Sequence, residues 1–514
     1  MSHPLTNISE LKLTSDVRKR VESLMSHIRE GSTEELRSPL FDGQSANEIL
    51  DGWEKVTETL PELVPPLREM ELANRSKFGP RSIAVPWSER RADILAYFRD
   101  EGGRSLEPSQ VGFHPLRHVV NRLQPTSFVN TIKSMVLNTS SGLPEMRKKR
   151  DVYENWEMRN LSNSAFYDLL SEQYPVDYPA LLFTRTQEGK KTRTVWGYPF
   201  VDTLLEQRFF RSVLPYLKTL SWRSALRGPD DVDNAVTQLF DCRTDKETVV
   251  SIDFASYDAS LQPRILRPTA NYLMEVFQKE LYSEAIRIMI DRLLEIGLVT
   301  PDGVYHGEHG MPSGSSWTNE LDSWAQFLIA SEAIYYGDNP GLVCQVQGDD
   351  GLYITEDPEK LYNVFEGYGL EVNRDKTHES QEFAVYLQRL YHPSYRFGRV
   401  LRGVYSTTRA LNRVVHLERW PDREESGISG GLSGADYFTL RTISILENTK
   451  WHPWFKHLVE YVAKNDRDLL RFTDEGARRY AQRFGSQELE ATQHQHGHIT
   501  PRSKLEDFEV VKVL

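Results

Sequence analysis

A tight acidic turn, Gly348-Asp349-Asp350, separates two short runs with strand character at residues 342–347 and 351–354. Glycine before paired acidic residues favours a short hairpin connection, because glycine readily adopts the positive φ angles that such turns need. A third run, residues 248–252, is rich in β-branched side chains and is followed directly by Asp253. The pattern therefore predicts strands that deliver carboxylates at their ends.

Carboxylates at strand ends suit hard dications, which prefer oxygen ligands. Transfer of a nucleotide needs such ions to activate an attacking hydroxyl and to neutralise a triphosphate. Asp253 and Asp349 meet this need if their strands lie side by side. Taken alone, an acidic hairpin tip is more often a pair of solvated side chains, so the metal hypothesis depends on the neighbouring motifs.

Polar residues of the kind that contact a nucleotide follow the predicted strands. Asp258 lies shortly after Asp253, far enough along the chain to point past bound metals toward a ribose. Residues 310–314, which contain glycine and proline and are typical of a loop, precede a predicted helix that runs from residue 315 to about residue 335. The loop and the head of this helix supply four candidates: Ser313, Gly314, Thr318 and Asn319.

Two basic clusters stand out in a chain whose formal net charge is -12. The first lies on a predicted hairpin with a turn at residues 187–190 and comprises Arg185, Lys190, Lys191 and Arg193. The second follows Ser140, Ser141 and Gly142 and comprises Arg147, Lys148, Lys149 and Arg150. A charge run is usually a solvated face, but the position beside this loop favours the wall of a nucleic-acid channel. Because the chain as a whole is acidic, any contact with nucleic acid must be made by such local basic clusters.

The order of these motifs from about residue 139 to 395 resembles that of viral RNA-dependent RNA polymerases. Residues 251–258 resemble motif A, residues 310–319 motif B and residues 347–351 motif C. Four further segments resemble the remaining motifs: 191–195 (F), 138–144 (G), 369–377 (D) and 383–389 (E). The Ser-Gly-Ser-x-x-Thr-Asn run and the Gly-Asp-Asp-Gly ending are most similar to picobirnaviruses and next to partitiviruses, both with double-stranded RNA genomes.

The resemblance implies an α+β fold of the right-hand polymerase type, with fingers, palm and thumb. The palm is expected to be a ferredoxin-like antiparallel sheet within a largely helical periphery. The predicted divisions are 1–110 (N-terminal extension bridging fingers and thumb), 111–245 (fingers), 246–395 (palm, with 265–305 partly fingers) and 396–514 (thumb and C-terminal tail). Helical spacing of apolar residues is seen at 17–25, 49–53, 416–420, 437–446 and 454–462.

The implied activity is RNA-directed RNA polymerisation that replicates and transcribes a viral genome. Asp253, Asp349 and Asp350 would bind two Mg²⁺ or Mn²⁺ ions, and the cations of the predicted hairpin would hold the triphosphate. Asp258 and Asn319 would contact the ribose, and residues 140–142 with 147–150 would guide the template. Lys376 is a candidate general acid, although an ordinary surface charge fits its charged neighbours equally well. Arg208 is a weaker candidate for contact with phosphate.

The implied partners are the RNA template and product, ribonucleoside triphosphates and a viral capsid protein, and the protein is expected to act as a monomer. No apolar run approaches the roughly 20 residues that span a bilayer, so no membrane contact is expected. The chain has two cysteines, Cys242 and Cys344, too few for a disulfide framework. The expected location is the virion interior and the host cytoplasm.

Two alternative functions stay open at this point. A reverse transcriptase shares two-metal chemistry, but Asp258 and Asn319 favour ribose and the turn lacks the Tyr-x-Asp-Asp form. A capsid-associated protein with an inactive site would bind RNA without making product, which the intact carboxylates argue against.

Three features near the C-terminus are interpreted as structural. Residues 427–434 lack the ending of a phosphate-binding loop and predict a flexible loop. His494, His496 and His498 lie in a polar stretch that predicts a solvated tail. The apolar end, residues 510–514, is either a docked strand or is folded back into the active-site cavity.

Overall fold

The computed structural model describes residues 4–39, 41, 43–108, 112–157, 178–419, 434–465, 473–476 and 508–514. The glycine-rich residues 427–433 and the three tail histidines lie outside these ranges. The strands are β1 (Leu5–Thr6), β2 (Ala180–Thr186), β3 (Thr192–Gly197), β4 (Thr248–Ile252), β5 (Leu298–Thr300), β6 (Gly303–Tyr305), β7 (Cys344–Gln347), β8 (Asp350–Thr355), β9 (His378–Ser380), β10 (Ala384–Tyr386), β11 (Arg389–Tyr391), β12 (Arg396–Phe397) and β13 (Val400–Leu401).

The α-helices are numbered in chain order. They are α1 (Ser15–Glu30), α2 (Ala46–Thr57), α3 (Pro65–Arg75), α4 (Trp87–Ala96), α5 (Phe128–Ser134), α6 (Lys149–Glu157), α7 (Phe200–Leu217), α8 (Pro229–Cys242), α9 (Tyr257–Ser260), α10 (Pro263–Met274), α11 (Lys279–Glu295), α12 (Thr318–Ala330), α13 (Pro358–Gly367), α14 (Thr407–Val415), α15 (Gly434–Glu447), α16 (Phe455–Asn465) and α17 (Glu509–Val513). No described helix is sufficiently long and apolar to cross a membrane.

A four-stranded antiparallel sheet, in the order β7-β8-β4-β9, carries the acidic turn. Gln347 pairs with Asp350 across the hairpin, and Gly348 adopts a φ of 64° in the connection. Ile252 pairs with Gly351, so the next residue of that strand, Asp253, leaves the sheet beside the turn. The strands predicted at both carboxylate positions are confirmed, although β7 begins at Cys344 and not at Leu342.

A second, five-stranded sheet has the order β1-β6-β5-β2-β3. Its β2–β3 hairpin is the one predicted from the alternating pattern, with Arg185 opposite Arg193. The Gln187 N–H donates to the Lys191 carbonyl at 2.8 Å, and Gly189 and Lys190 have φ angles of 68° and 58°. This closed turn holds the basic cluster at the end of a β-ribbon.

The N-terminal segment packs against two separate parts of the molecule. Helices α1 and α4 share an apolar cluster with β2, β3, β5 and β6. Helix α2 instead shares a cluster with α14, α15 and α16. The segment therefore spans from the five-stranded sheet to the C-terminal helices.

The apolar C-terminus is docked as a short helix. Phe508 and Val510 are buried in the cluster formed by α14, α15 and α16. The Val510 N–H also donates to the Glu447 carboxylate at 3.1 Å. The end is therefore docked, as expected in one of the two interpretations, but it forms a helix and not a strand.

Two helix predictions need correction. The helix expected from residue 315 to about 335 is shorter, because α12 begins at Thr318 and ends at Ala330. The helix expected at residues 416–420 is wrong, since α14 ends at Val415 and His416 forms an isolated bridge with Arg37. The helix expected at 437–446 is confirmed within α15, and the helix expected at 454–462 is confirmed in α16, which begins one residue later at Phe455.

Candidate active site

Three carboxylates converge at one end of the four-stranded sheet. Asp349 is exposed at the tip of the turn, and Asp253 and Asp350 are half-buried. Burial raises the pKa of Asp253, Lys376 lowers it, and Asp349 raises it again. Burial, together with Asp349 and Asp253, raises the pKa of Asp350 to about 8. The three groups therefore lie close enough to repel one another.

This donor set fits divalent cations. Carboxylate oxygens are the ligands that Mg²⁺ and Mn²⁺ prefer, and a dication would relieve the repulsion that raises the pKa values of Asp253 and Asp350. Within the described part of the chain, no three His, Cys, Asp or Glu side chains form a ready metal-binding group. Mg²⁺ sites at substrate phosphates need no such group, because one or two carboxylates suffice beside phosphate and water oxygens.

One face of helix α12 fixes the acidic turn. The Gly348 N–H donates to Ser323 Oγ at 2.7 Å, and Gln326 Nε2 donates to the Gly348 carbonyl at 3.0 Å. A Cβ on Gly351 would lie 1.9 Å from Gln326 Oε1, so a side chain at this position would displace the amide that holds the turn. Asn319, Ser323 and Gln326 follow helical spacing, which places all three side chains against the turn.

Asn319, the residue expected to contact the ribose, is hydrogen-bonded to Gln347 beside the acidic turn. Its amide oxygen accepts a hydrogen bond from Gln347 Nε2 at 3.0 Å, and its Nδ2 donates to Glu320 at 3.3 Å. The side chain is half-buried. Asn319 therefore lies beside the site but already has hydrogen-bond partners.

Asp322, one helical turn further on, is a site residue that the sequence analysis missed. It is 4% exposed, and its Oδ1 has no hydrogen-bond partner among the described residues. Burial and the nearby Asp258 raise its pKa well above the usual value. Burial and Asp349 also raise the pKa of Asp258, to about 7. The spacing from Asn319 is the signal that could have identified Asp322.

The hairpin cations face these acids. Burial, Arg193 and Lys376 lower the pKa of Lys191, while Asp349 and Asp253 oppose that shift. Arg193 also lowers the pKa values of Asp258 and Asp350. All four cations are exposed, and Arg185 lies 3.8 Å from Glu418, which is not one of these acids. Lys191 and Arg193 are thus the members nearest the carboxylates.

Lys376 also faces the site. Its Nζ lies 4.0 Å from Asp253 Oδ2, although the side chain is 67% exposed. The neighbouring Arg374 turns away to Glu359 and Glu366, at 2.7 and 3.2 Å. Arg374 and Lys376 therefore have different surroundings, and Lys376 is the one that lies beside a carboxylate of the site.

The loop before α12 is packed tightly against β3. Ser313 Oγ donates to the Thr194 carbonyl at 3.0 Å, and a Cβ on Gly314 would lie 1.6 Å from the Trp196 carbonyl oxygen. Thr318 Oγ1 donates to the Pro312 carbonyl at 2.9 Å. These three candidates shape the loop through contacts within the protein.

Glu206 on α7 holds the same loop and was not identified from the sequence. Its carboxylate accepts hydrogen bonds from Ser315 Oγ at 2.7 Å and from the Ser316 N–H at 2.6 Å. Burial raises its pKa to about 8. A buried glutamate in an amphipathic helix gives no sequence signal that distinguishes it from a surface glutamate.

The proposed template residues divide into two groups. Ser140, Arg147 and Arg150 are exposed, and Lys148 is half-buried. Ser141 and Gly142 are buried, and Ser141 Oγ accepts the Arg147 N–H at 3.2 Å. Burial lowers the pKa of Lys149, whose Nζ lies 5.9 Å from the ring centre of Phe200. The exposed members are those that can reach RNA.

Arg208 is a correction to the sequence analysis. It is 4% exposed, and its Nε donates to the Thr126 carbonyl at 2.9 Å. A buried guanidinium that ties α7 to the loop before α5 does not offer a surface to phosphate. The expectation of a phosphate contact at Arg208 is therefore wrong.

The family model described as viral RNA-dependent RNA polymerase matches residues 100–404, well over half of the chain. The chain belongs to this family. A potential RNA-dependent RNA polymerase of a human picobirnavirus is 28% identical over 475 residues, which cover 88% of this chain and 86% of the relative. The Norwalk norovirus genome polyprotein is 22% identical over 377 residues, covering 67% of this chain and 19% of the polyprotein.

Two solved structures have the same fold as this polymerase. The crystal structure of a human picobirnavirus RNA-dependent RNA polymerase aligns with a TM-score of 0.81 at 24% identity and covers 99% of both chains. An insertion-loop deletion mutant of such a polymerase aligns with a TM-score of 0.78 at 25% identity and covers 96% of both chains.

The polymerase therefore has the expected right-hand α+β fold and is an RNA-directed RNA polymerase. Enzymes of this family use divalent metal ions. The family assignment favours RNA-directed RNA synthesis over reverse transcription, and the similarity to picobirnavirus polymerases noted in the sequence is confirmed.

Proposed function

We propose that this polymerase replicates and transcribes a double-stranded RNA virus genome with two Mg²⁺ or Mn²⁺ ions held by Asp253, Asp349 and Asp350. The observation that carries the proposal is the convergence of Asp253 with the acidic turn at one end of the antiparallel sheet. The ions would supply activation of the attacking 3′-hydroxyl and charge neutralisation at the leaving pyrophosphate.

The surrounding cations then bind the substrate and move a proton. Lys191 and Arg193 bind the triphosphate, and the planar guanidinium of Arg193 suits bidentate contact with phosphate oxygens. Lys190 and Arg185 extend the same positive surface along the ribbon. Lys376 donates a proton to the pyrophosphate, which its position near Asp253 supports.

We expect RNA synthesis from a single-stranded RNA template to require a divalent ion. The measurement is incorporation of labelled ribonucleotides by the purified chain with Mg²⁺, with Mn²⁺, and with excess EDTA. EDTA should abolish product, and excess ion should restore it, because the carboxylates alone repel the triphosphate. Preference for deoxynucleotides would indicate reverse transcription. RNA binding without product would indicate the inactive RNA-binding alternative.

Ribose recognition is proposed for Asp258 and Asn319, with Asp322 as a third member. The Asp322 Oδ1 is buried without a partner among the described residues, so a ribose 2′-hydroxyl near Asp258 would satisfy it. A deoxynucleotide would leave this buried polar group unpaired, and that penalty discriminates against it. Ser313, Gly314 and Thr318 support this proposal by fixing the loop at the head of α12.

Replacing Asp322 with alanine should lower the preference for ribonucleotides over deoxynucleotides by about 10- to 100-fold, since one buried hydrogen bond is worth about 1–3 kcal/mol. Asp322→Asn should be intermediate, because the amide keeps hydrogen-bonding capacity. The measurement is kcat/KM for a matched ribonucleotide and deoxynucleotide pair. Asn319→Ala is the comparison variant. Unchanged selectivity in Asp322→Ala with a loss in Asn319→Ala would return the role to Asn319.

We propose that Ser140, Arg147, Lys148 and Arg150 contact the template phosphates, with Ser141, Gly142 and Lys149 supporting them. The exposure of Ser140, Arg147 and Arg150 supports this division. We further propose that the polymerase acts as a monomer with a viral capsid protein as its partner, without membrane contact. The proposed locations are the virion and the host cytoplasm, in keeping with a polymerase similar to those of picobirnaviruses.

A further inference from the structure

Glu188 joins three distant parts of the chain at one carboxylate. It lies in the turn between β2 and β3, and its side chain is 11% exposed. Its Oε1 lies 3.4 Å from Arg81 Nε in the N-terminal segment. The same oxygen lies 3.6 Å from Arg409 Nε and 3.3 Å from Arg413 Nε, both on α14. The tip of the cationic hairpin is therefore held by the N-terminal segment and by the first helix after the palm.

Around Glu188 the three arginines outnumber the carboxylates. Glu418 is the second carboxylate, and it forms an ion pair with Arg81. Burial and Arg413 lower the pKa of Arg81 to about 10, while Glu188 and Glu418 oppose that shift. Burial raises the pKa of Glu188, but Arg81, Arg409 and Arg413 lower it to about 2. Loss of the Glu188 charge would leave three guanidinium groups close together with less compensation.

The other side of the same hairpin faces the catalytic carboxylates. Lys191 follows Glu188 closely, and its carbonyl closes the turn by accepting the Gln187 N–H at 2.8 Å. The first residue of β3, Thr192, accepts the Val85 N–H at 3.0 Å through its hydroxyl. A displacement of the turn at Glu188 would consequently displace Lys191 and the start of β3, which carries Arg193.

We propose that Glu188 is a positioning residue that couples the triphosphate-binding cations to the thumb. By anchoring the hairpin tip to Arg409 and Arg413, Glu188 keeps Lys191 and Arg193 over the acidic turn. A movement of α14 away from the hairpin releases this anchor and weakens nucleotide binding. The inference rests on the proposed role of Lys191 and Arg193 in binding the triphosphate.

The test is the isosteric change Glu188→Gln, which removes the charge and keeps the volume. The KM for ribonucleotides should rise about five- to tenfold, with kcat within about twofold, because misplaced binding groups weaken substrate positioning. Arg413→Gln should act in the same direction, and the double variant should be less than additive, since both changes remove one interaction. Glu188→Asp, which keeps the charge on a shorter side chain, should be intermediate.

Glu284→Gln is the matched control, because it breaks an exposed ion pair with Arg287 on α11, at 2.6 Å, outside the site. It should leave the KM unchanged. Binding of a non-hydrolysable ribonucleotide to the RNA-bound enzyme gives a second readout that does not require turnover, and it should weaken in parallel. A lower melting temperature for Glu188→Gln with unchanged KM and unchanged nucleotide binding would overturn the inference and leave only a structural role.

The outcomes also separate this inference from the proposed function. A wild-type protein that makes no RNA with Mg²⁺ or Mn²⁺ would refute the proposed function itself. An active wild-type protein whose KM is insensitive to Glu188→Gln would refute only the coupling. Additive effects in the double variant would show that Glu188 and Arg413 act separately, and would also overturn the coupling.

Discussion

Replacing Asp349 with asparagine should reduce RNA synthesis at least about a thousandfold, equivalent to about 4 kcal/mol of transition-state stabilisation. The change removes a charge from the proposed metal site while keeping the shape of the side chain. The fold should be unaffected, because Asp349 is exposed and the turn is fixed by Gly348, Ser323 and Gln326. Single-turnover nucleotide incorporation measures the loss.

Asp338→Asn is the matched control for this change. Asp338 is another exposed aspartate, in the loop that precedes β7. It should retain full activity, and both variants should keep the wild-type melting temperature and template affinity. Asp253→Asn should match Asp349→Asn. RNA synthesis by the Asp349 variant within about tenfold of wild type would refute its role as a metal ligand.

The parts of the site that depend on local sequence were predictable. The strands around Asp253 and the acidic turn, and the β2–β3 hairpin, follow from β-branched runs and turn residues close together in the chain. The same holds for the helices α1 and α2, whose apolar spacing is regular. Family resemblance then supplied how these elements assemble, which no local pattern contains.

The parts that depend on burial were not predictable. Arg223 and Glu320 form an ion pair at 2.6 Å whose side chains are 0% and 1% exposed, and Arg223 Nη1 also donates to the Val346 carbonyl at 3.0 Å. This pair fastens α12 to β7 behind the acidic turn. From the sequence alone both residues would be expected on the solvated surface, because arginine and glutamate are seldom fully buried. Glu206 was missed for the same reason, whereas the spacing of Asp322 from Asn319 on one helix could have identified Asp322.

Burial also explains the opposite errors, in which residues predicted to contact a ligand are enclosed in the protein. Arg208 was a weaker candidate for contact with phosphate and Ser141 was predicted to contact the template, yet both are buried and hydrogen-bonded to backbone groups. A buried charged side chain such as that of Arg208 needs hydrogen-bond partners that distant segments of the chain supply. Those partners, such as Thr126 for Arg208, are identified by the fold and not by spacing along the chain.

Replacing Glu71 with glutamine should destabilise the α14 region by about 3–5 kcal/mol, because removal of one charge from a buried network leaves its donors unpaired. Glu71 is 7% exposed and caps the N-terminus of α14. Its oxygens accept the Thr407 N–H at 2.6 Å, the Thr408 N–H at 3.0 Å and the Ser406 hydroxyl at 3.0 Å. Glutamine would turn an amide N–H₂ toward some of these donors.

Amide hydrogen exchange of residues 407–415 measures this effect, because it reports the opening free energy of that helix. Glu69→Gln is the matched control, since Glu69 is an exposed glutamate on the same helix, α3. It should leave protection of α14 unchanged. Protection factors for Glu71→Gln that stay within about threefold of wild type would contradict the capping role.

The effect of Glu71 should also depend on pH in a defined direction. Burial raises its pKa, but His452, at 3.2 Å, and Thr408 lower it from 4.5 to about 2. A carboxylate whose pKa is lowered by folding stabilises the folded protein above its unfolded pKa, and this contribution of about 3 kcal/mol is lost as pH falls from about 5 to 2. Glu188 titrates in the same range in both proteins, so its contribution cancels when wild type is compared with Glu71→Gln. The difference in α14 protection should therefore be largest above pH 5 and should shrink toward pH 2, whereas a purely steric effect of glutamine would persist throughout.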